Sequence, residues 1–98
     1  MSHLLSVVIP VFNEERTVVA MLDRVAEAQR GDLLLELVIV NDGSTDRSPE
    51  LIRSWMAAHP DVHAVCIDKE NGGKGSAVKA AVAATTGEAV IIQDADLE

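Results

Sequence analysis

The sequence predicts an α/β fold in which four mainly parallel strands alternate with three helices. Short apolar runs recur along the chain, and the segments between them carry apolar residues at helical spacing. Because strands joined through helices run parallel, and because the runs are apolar throughout, we expect a sheet that is covered on both faces. With the strand order 3-2-1-4, right-handed crossovers place the first two helices on one face and the third on the other.

The first strand is predicted over residues 4–10, from the apolar run LLSVVIP. After a loop, a first helix is predicted over residues 17–30, and Gly31 and Asp32 end it. The apolar residues of this helix share one face at helical spacing: Val18, Met21, Leu22 and Val25.

The second strand is predicted over residues 33–40, from the run LLLELVIV. The polar segment NDGSTD follows and is typical of turns and helix caps. A second helix begins at Ser48, which we expect to be its N-cap, with Pro49 at the first helical position. The buried stripe of this helix is predicted to contain Leu51, Ile52, Trp55 and Met56.

The third strand is predicted over residues 62–67 and holds Cys66, the single cysteine, which we expect to be an inert core thiol. A glycine-rich loop leads to an alanine-rich third helix over residues 76–86, capped by Gly87. The fourth strand is the apolar run over residues 89–92. We expect residues 1–98 to form one domain or a part of one.

Composition argues against several classes of function. The formal net charge is −8 and the sequence has no basic patch, so we expect no binding to nucleic acid. A single cysteine argues against a disulfide framework and against a thiolate metal cluster. We expect neither a signal peptide nor a membrane helix, which needs roughly 18 apolar residues. The cytoplasm is the expected location.

Polar and glycine-rich segments are expected to gather on one edge of the sheet. Each loop that leads from a strand to a helix lies at the carboxyl edge of a parallel sheet, where open α/β sheets bind their ligands. The segments predicted at this edge are residues 13–15, 42–46, 71–75 and 94–98. A ligand site is therefore predicted at the carboxyl edge.

Candidate contacts with a nucleotide follow the first two strands. Phe12 has two interpretations, an apolar wall for a planar base or a core side chain. Glu14 also suits the positive end of the first helix. Asp42 follows the second strand, where a carboxylate suits hydrogen bonds from a nucleobase or a ribose, although this segment is also typical of a turn.

The segment NGGKG, residues 71–75, is rich in hydrogen-bond donors and precedes a helix, which suits a phosphate group. It lacks the Walker signature, because Gly75 follows Lys74 where a serine or threonine is required. It also lacks the G-x-G-x-x-G spacing. A functional role and a structural role both stay open for this loop.

Three carboxylates follow the fourth strand at alternating positions, Asp94, Asp96 and Glu98. Acids gathered where a buried strand leaves a sheet repel one another unless a cation or hydrogen-bond donors compensate. The divalent cations Mg2+ and Mn2+ bind carboxylate oxygens. A metal site and a simple helix cap are both possible interpretations, and we favour the metal site.

With these motifs in order, the chain resembles the amino-terminal half of family-2 inverting glycosyltransferases, which have the GT-A fold, a Rossmann-like three-layer α/β fold. The resemblance rests on VVIPVFNEE, LVIVNDGSTD, ENGGKGSA and VIIQDADLE, and it covers essentially the whole chain. It is greatest to the branch with dolichol-phosphate mannose synthase and bacterial polyprenyl-phosphate sugar transferases. The resemblance implies transfer of a sugar, with inversion, from a UDP- or GDP-linked nucleotide-sugar, and this branch suggests a polyprenyl phosphate as acceptor.

The resemblance also implies roles for single residues in the nucleotide pocket. The first motif places Pro10, Phe12 and Glu14 there. The second motif places Val40 and Asp42 beside the base or the ribose. A further nucleotide contact is implied for a residue of the third motif, namely Lys74.

The last motif is similar to the DxD motif of the family. It implies that Asp94 and Asp96 hold a divalent cation, Mg2+ or Mn2+, on the donor diphosphate and also contact the nucleotide. Glu98 is implied as a third metal ligand. As catalytic residues, the two aspartates would hold the cation that stabilises the negative charge developing on the leaving group.

Two other functions stay open, a nucleotidyltransferase and a non-catalytic nucleotide-binding module. The acidic segment VFNEE disfavours the first, which usually has a basic glycine-rich signature at that place. Family domains continue beyond the DxD-like motif, often with membrane-attachment segments, so we expect residues 1–98 alone to lack transferase activity. We also expect self-association, because the fourth strand is predicted to be an apolar edge.

Overall fold

The computed structural model describes residues 3–29, 33–87 and 89–93, and in this part of the chain four parallel strands alternate with three helices. The strands are β1 (His3–Val11), β2 (Leu33–Asp42), β3 (His63–Lys69) and β4 (Ala89–Ile92). The helices are α1 (Val18–Glu27), α2 (Ser48–Ala58) and α3 (Lys74–Ala83). The strands lie in the order β3-β2-β1-β4, which confirms the predicted topology.

The two faces of the sheet carry different helices. α1 and α2 pack on one face, where they bury an apolar cluster against β1 and β2, with helix side chains from Val18, Leu22, Ile52 and Trp55. α3 packs on the other face through Ala77 and Ala81, which contact valines of β1 and β2. The predicted distribution of the helices is therefore confirmed.

Burial decreases from the central strands to β4. β2 is buried from Leu35 to Asp42, whereas every residue of β4 is exposed. The side chains of Val90, Ile91 and Ile92 are 41%, 48% and 51% exposed. The helices pack mainly on β1, β2 and β3. The expectation of cover on both faces is therefore wrong for β4.

The start of α2 differs from the prediction. Arg47, rather than Ser48, is the N-cap, and Ser48 is the first residue of the helix. The Ser48 hydroxyl instead accepts a hydrogen bond from the Glu14 N–H at 2.9 Å. The side chain that the sequence pattern assigned to the cap thus joins the start of α2 to the loop after β1.

α3 begins and ends earlier than predicted. It starts at Lys74, after an N-cap at Gly73 with a φ of 90°, a conformation that glycine adopts readily. It ends at Ala83, because Thr86 leaves the helix to donate two hydrogen bonds to the Glu36 carboxylate. The predicted cap at Gly87 is therefore wrong.

No helix in the described ranges is long and apolar enough to cross a membrane.

Candidate functional site

The loops that follow β1, β2 and β3 lie together at the carboxyl edge of the sheet. β2 and β3 continue past their predicted ends to Asp42 and Lys69, which are register partners. β1 ends beside β2 at the same edge. After β4, the Gln93 N–H donates to the Val8 carbonyl at 2.8 Å. The edge predicted to bind a ligand therefore contains three connected loops and the end of β4.

Asn13 joins the first two loops. Its side-chain carbonyl accepts hydrogen bonds from the N–H groups of Thr45 at 2.8 Å and Asp46 at 3.3 Å. Its own N–H donates to the Ser44 hydroxyl at 3.0 Å. Asn13 has a φ of 51°, and asparagine adopts this left-handed region more readily than most residues. The loop after β1 is thus fixed on the loop after β2.

Asp46 fixes the same two loops from the other side. Its carboxylate accepts hydrogen bonds from the N–H groups of Ser48 at 2.8 Å and Glu15 at 3.1 Å. Burial tends to raise the pKa of Asp46, but a hydrogen bond from the Ser48 side chain and those from the N–H groups of Ser48 and Glu15 outweigh it, so the pKa is lower than usual. Asp46 is therefore an ionised residue that orders the loops, as the turn-forming character of its segment suggested.

Asp42 is held in the centre of the edge. Only 4% of its side chain is exposed. Oδ1 accepts hydrogen bonds from Lys69 Nζ at 2.8 Å and from the Gly72 N–H at 3.0 Å, and Oδ2 accepts one from the Gly73 N–H at 3.0 Å. The hydrogen bond from Lys69 contributes most to lowering the pKa of Asp42, against the effect of burial. Asp42 is therefore a fixed anion.

Lys69 is a residue of this edge that the sequence did not reveal. Besides its bond to Asp42, its ammonium group donates to the Glu70 carbonyl at 2.7 Å. Asn71 holds the loop after β3 against the end of β2, because its Nδ2 donates to the Asp42 carbonyl at 3.0 Å. Gly43 permits this approach, because a Cβ on it would lie 2.6 Å from the Asn71 nitrogen. A lysine two residues beyond the apolar run was the available signal.

The other residues implied in a nucleotide pocket have different surroundings. Phe12 is 47% exposed, which favours the interpretation as an apolar wall over the core interpretation. Glu14 and Pro10 are half-buried. Val40 is fully buried in the cluster beneath α3. The first residue of α3, Lys74, is exposed.

The residues predicted to bind a metal, Asp94, Asp96 and Glu98, lie outside the described residues. Among residues 3–29, 33–87 and 89–93, no three His, Cys, Asp or Glu side chains form a group that could hold a metal ion. The sequence after β4 offers three carboxylates, the ligand type that Mg2+ and Mn2+ prefer. The donor set therefore fits such a cation.

Cys66 lies half-buried in β3. Burial above all, and then the charge of Asp68, raises the pKa of its thiol to about 11. The thiol is therefore protonated at neutral pH, which agrees with the expectation of an inert residue.

The sequence profile of Glycosyl transferase family 2 matches residues 6–98. The chain belongs to Glycosyl transferase family 2. The undecaprenyl-phosphate 4-deoxy-4-formamido-L-arabinose transferase of Yersinia pestis (strain Pestoides F) is 39% identical over 97 residues. The enzyme of the same name from Pectobacterium atrosepticum is 38% identical over 95 residues. Both matches cover 95% of this chain and 29% of the relative, so the chain spans less than a third of their length.

Solved structures of glycosyltransferases share the fold. Mannosyltransferase PcManGT from Pyrobaculum calidifontis, in complex with GDP-Man and Mn2+, matches with a TM-score of 0.89 and 33% identity, over 98% of this chain and 28% of that one. S. aureus TarS 1-349 in complex with UDP-GlcNAc matches with a TM-score of 0.82 and 26% identity, over 98% and 27%. Glucosyl-3-phosphoglycerate synthase from Mycobacterium tuberculosis, with Mn2+ and UDP, matches with a TM-score of 0.76 and 27% identity, over 98% and 34%.

These matches confirm the GT-A fold and the family that the motifs predicted. Family membership also supports a glycosyltransferase, rather than a nucleotidyltransferase, as the parent protein of this sequence.

Proposed function

We propose that this chain supplies the donor-binding part of an enzyme that transfers a sugar, with inversion, from a nucleotide-sugar to an acceptor. The observation that carries the proposal is the fixed, anionic Asp42 carboxylate at the carboxyl edge of the sheet. Membership of family 2 supports it, as do similar structures that hold GDP-Man, UDP-GlcNAc or UDP.

The loops at this edge are suited to bind a nucleotide without large rearrangement. Hydrogen bonds that the side chains of Asn13 and Asp46 accept already hold the first two loops together, so little ordering is required when a ligand binds. Asp42 accepts a hydrogen bond from the base or the ribose, and the exposed Phe12 ring covers a flat face of the ligand. Contacts from Pro10, Glu14 and Lys74 belong to the same proposal, whereas Val40 is fully buried beneath α3 and is left out of it.

The diphosphate end of the donor is proposed to lie near the residues after β4. Asp94 and Asp96, with Glu98, would hold a divalent cation there, and Mn2+ in two of the similar structures supports such a cation. When bound, the cation stabilises the negative charge of the leaving nucleoside diphosphate. The aspartates keep it in place and need not transfer protons. Both Mg2+ and Mn2+ suit this donor set.

A polyprenyl phosphate is the proposed acceptor class. The relatives from Yersinia pestis and Pectobacterium atrosepticum are named as undecaprenyl-phosphate transferases, which supports this class. A phosphate acceptor is already an oxyanion, so the reaction would need no general base to remove a proton from it. We propose that the longer enzyme works at the cytoplasmic side of a membrane and that residues 1–98 alone do not transfer a sugar.

Calorimetry tests donor binding directly. Residues 1–98 would be titrated with UDP, GDP and CMP, each with and without Mn2+, and we expect binding of a nucleoside diphosphate that requires the cation. The double variant Asp94→Asn, Asp96→Asn should lose the requirement and most of the affinity. Asp61→Asn, an exposed aspartate at the other edge of the sheet, is the matched control. No binding of any nucleoside diphosphate in the presence of Mn2+ would refute the proposal.

A further inference from the structure

The Asp42 carboxylate has few acceptor positions left for a ligand. Each carboxylate oxygen accepts about two hydrogen bonds through its lone pairs. Oδ1 already accepts one from Lys69 and one from Gly72, and Oδ2 accepts one from Gly73. Considering the partners within the described residues, a single acceptor position remains, and it lies on Oδ2.

Burial also limits how a ligand can reach the Asp42 carboxylate. Only 4% of the Asp42 side chain is exposed, so a ligand reaches one edge of the carboxylate rather than both oxygens. Lys69 is 21% exposed and has used two of its three ammonium protons, on Asp42 and on the Glu70 carbonyl. Counting partners among the described residues, the pair therefore offers a ligand one acceptor, on Asp42 Oδ2, and one donor, on Lys69 Nζ.

Uracil and guanine require different hydrogen-bond partners from the Asp42–Lys69 pair. Uracil has one ring N–H between two carbonyl oxygens, so a single acceptor with a donor near it satisfies this edge. Guanine has a ring N–H next to an amino group, and these two donors pair best with two free carboxylate oxygens. An unpaired buried donor weakens binding, so guanine is disfavoured here.

We propose that Lys69 is a specificity-determining residue that makes this site prefer uracil to guanine. Together with Gly72, it fills the lone pairs of Asp42 Oδ1 and leaves a single acceptor for the base. This inference rests on the proposed donor binding. The fold does not decide the base, because similar structures hold either GDP-Man or a uridine nucleotide.

Competition between UDP and GDP tests the inference. With residues 1–98 and Mn2+, we expect UDP to bind about tenfold more tightly than GDP, the effect of one unpaired donor. Lys69→Met frees one lone pair on Oδ1 and should bring the ratio of the two dissociation constants close to one. Lys79→Met changes an exposed lysine on α3 and should leave the ratio of the unmodified chain unchanged.

The ratio remains informative if Lys69→Met lowers stability, because both constants are measured on one sample with one folded fraction. GDP binding as tightly as UDP to the unmodified chain would overturn the inference but leave donor binding intact. A preference for UDP that persists in Lys69→Met would also overturn it. Binding of neither nucleotide would refute the proposed function together with this inference.

Discussion

The Glu36 carboxylate accepts two hydrogen bonds from Thr86, one from its N–H at 2.8 Å and one from its hydroxyl at 2.6 Å. Ser6 donates a third bond to Glu36 at 2.8 Å and accepts one from the Gly87 N–H at 2.9 Å. His63 Nε2 lies 3.5 Å from the same carboxylate. This buried group lies at the edge of the sheet opposite to the candidate site and fixes the connection from α3 to β4.

Replacing Glu36 should change how stability depends on pH. Burial raises the pKa of Glu36, but the hydrogen bonds from Thr86 and Ser6 and the charge of His63 outweigh it, so the pKa is below 4.5. A carboxyl group with a lowered pKa stabilises the fold above its unfolded pKa, and this contribution disappears as pH falls through its folded pKa. Glu36→Gln should cost about 2 kcal/mol at pH 7, and the cost should shrink below pH 4.5.

Urea denaturation between pH 7 and pH 3 measures this difference in the free energy of unfolding. Glu27→Gln, an exposed glutamate on α1, is the control and should follow the unmodified chain within about 0.5 kcal/mol. A cost of Glu36→Gln that is the same at pH 3 and pH 7 would contradict the electrostatic explanation.

Two glycine substitutions should have effects of opposite sign. A Cβ on Gly87 would lie 2.6 Å from Ser6 Oγ and 2.7 Å from the Ser6 nitrogen, so Gly87→Ala should lower the free energy of unfolding by about 1–3 kcal/mol. A Cβ on Gly75, within α3, meets no atom within 4 Å. Gly75→Ala should therefore raise it by about 0.5–1 kcal/mol. Thermal unfolding of both variants is the measurement, and equal melting temperatures would refute the prediction.

Ser48 should matter to stability and to nucleotide binding. It is fully buried, and its hydroxyl is the partner of the Glu14 N–H. Ser48→Ala leaves that N–H without a partner, which should cost about 1–3 kcal/mol and loosen the loop after β1. Ser54→Ala changes an exposed serine of the same helix and should be neutral. Nucleoside diphosphate affinity, measured at a temperature where both variants are folded, should fall for Ser48→Ala only.

The sequence predicted what local patterns determine. The apolar runs of β1 and β2 and the helical spacing of Val18 and Leu22 sufficed for the strand order and the helix faces. The features of the structure that differ from the prediction depend on contacts between parts of the chain that are distant in sequence. Lys69 lies 27 positions from Asp42, and Thr86 lies 50 positions from Glu36. Such hydrogen bonds have no periodicity, so a single sequence does not reveal them.

The exposed strand β4 leads to the prediction of self-association. Within the described residues, β4 pairs with β1 only, and its side chains form an apolar edge. Ile91 also borders a cavity of about 290 Å³ between α1 and the sheet, which is lined mainly by apolar side chains. Unpaired apolar edges pair with other chains, so residues 1–98 should associate at high micromolar concentration.

A charge on this edge should prevent the association. Ile91→Lys should raise the dissociation constant at least about tenfold, because a charged side chain on an edge strand opposes pairing and would be desolvated in the contact. Val82→Lys changes a valine of α3 that is 45% exposed, so it adds the same charge away from β4. Sedimentation velocity should show a monomer for Ile91→Lys and association for Val82→Lys. A strict monomer of the unmodified chain at high micromolar concentration, or equal behaviour of both variants, would show that β4 is not the associating surface.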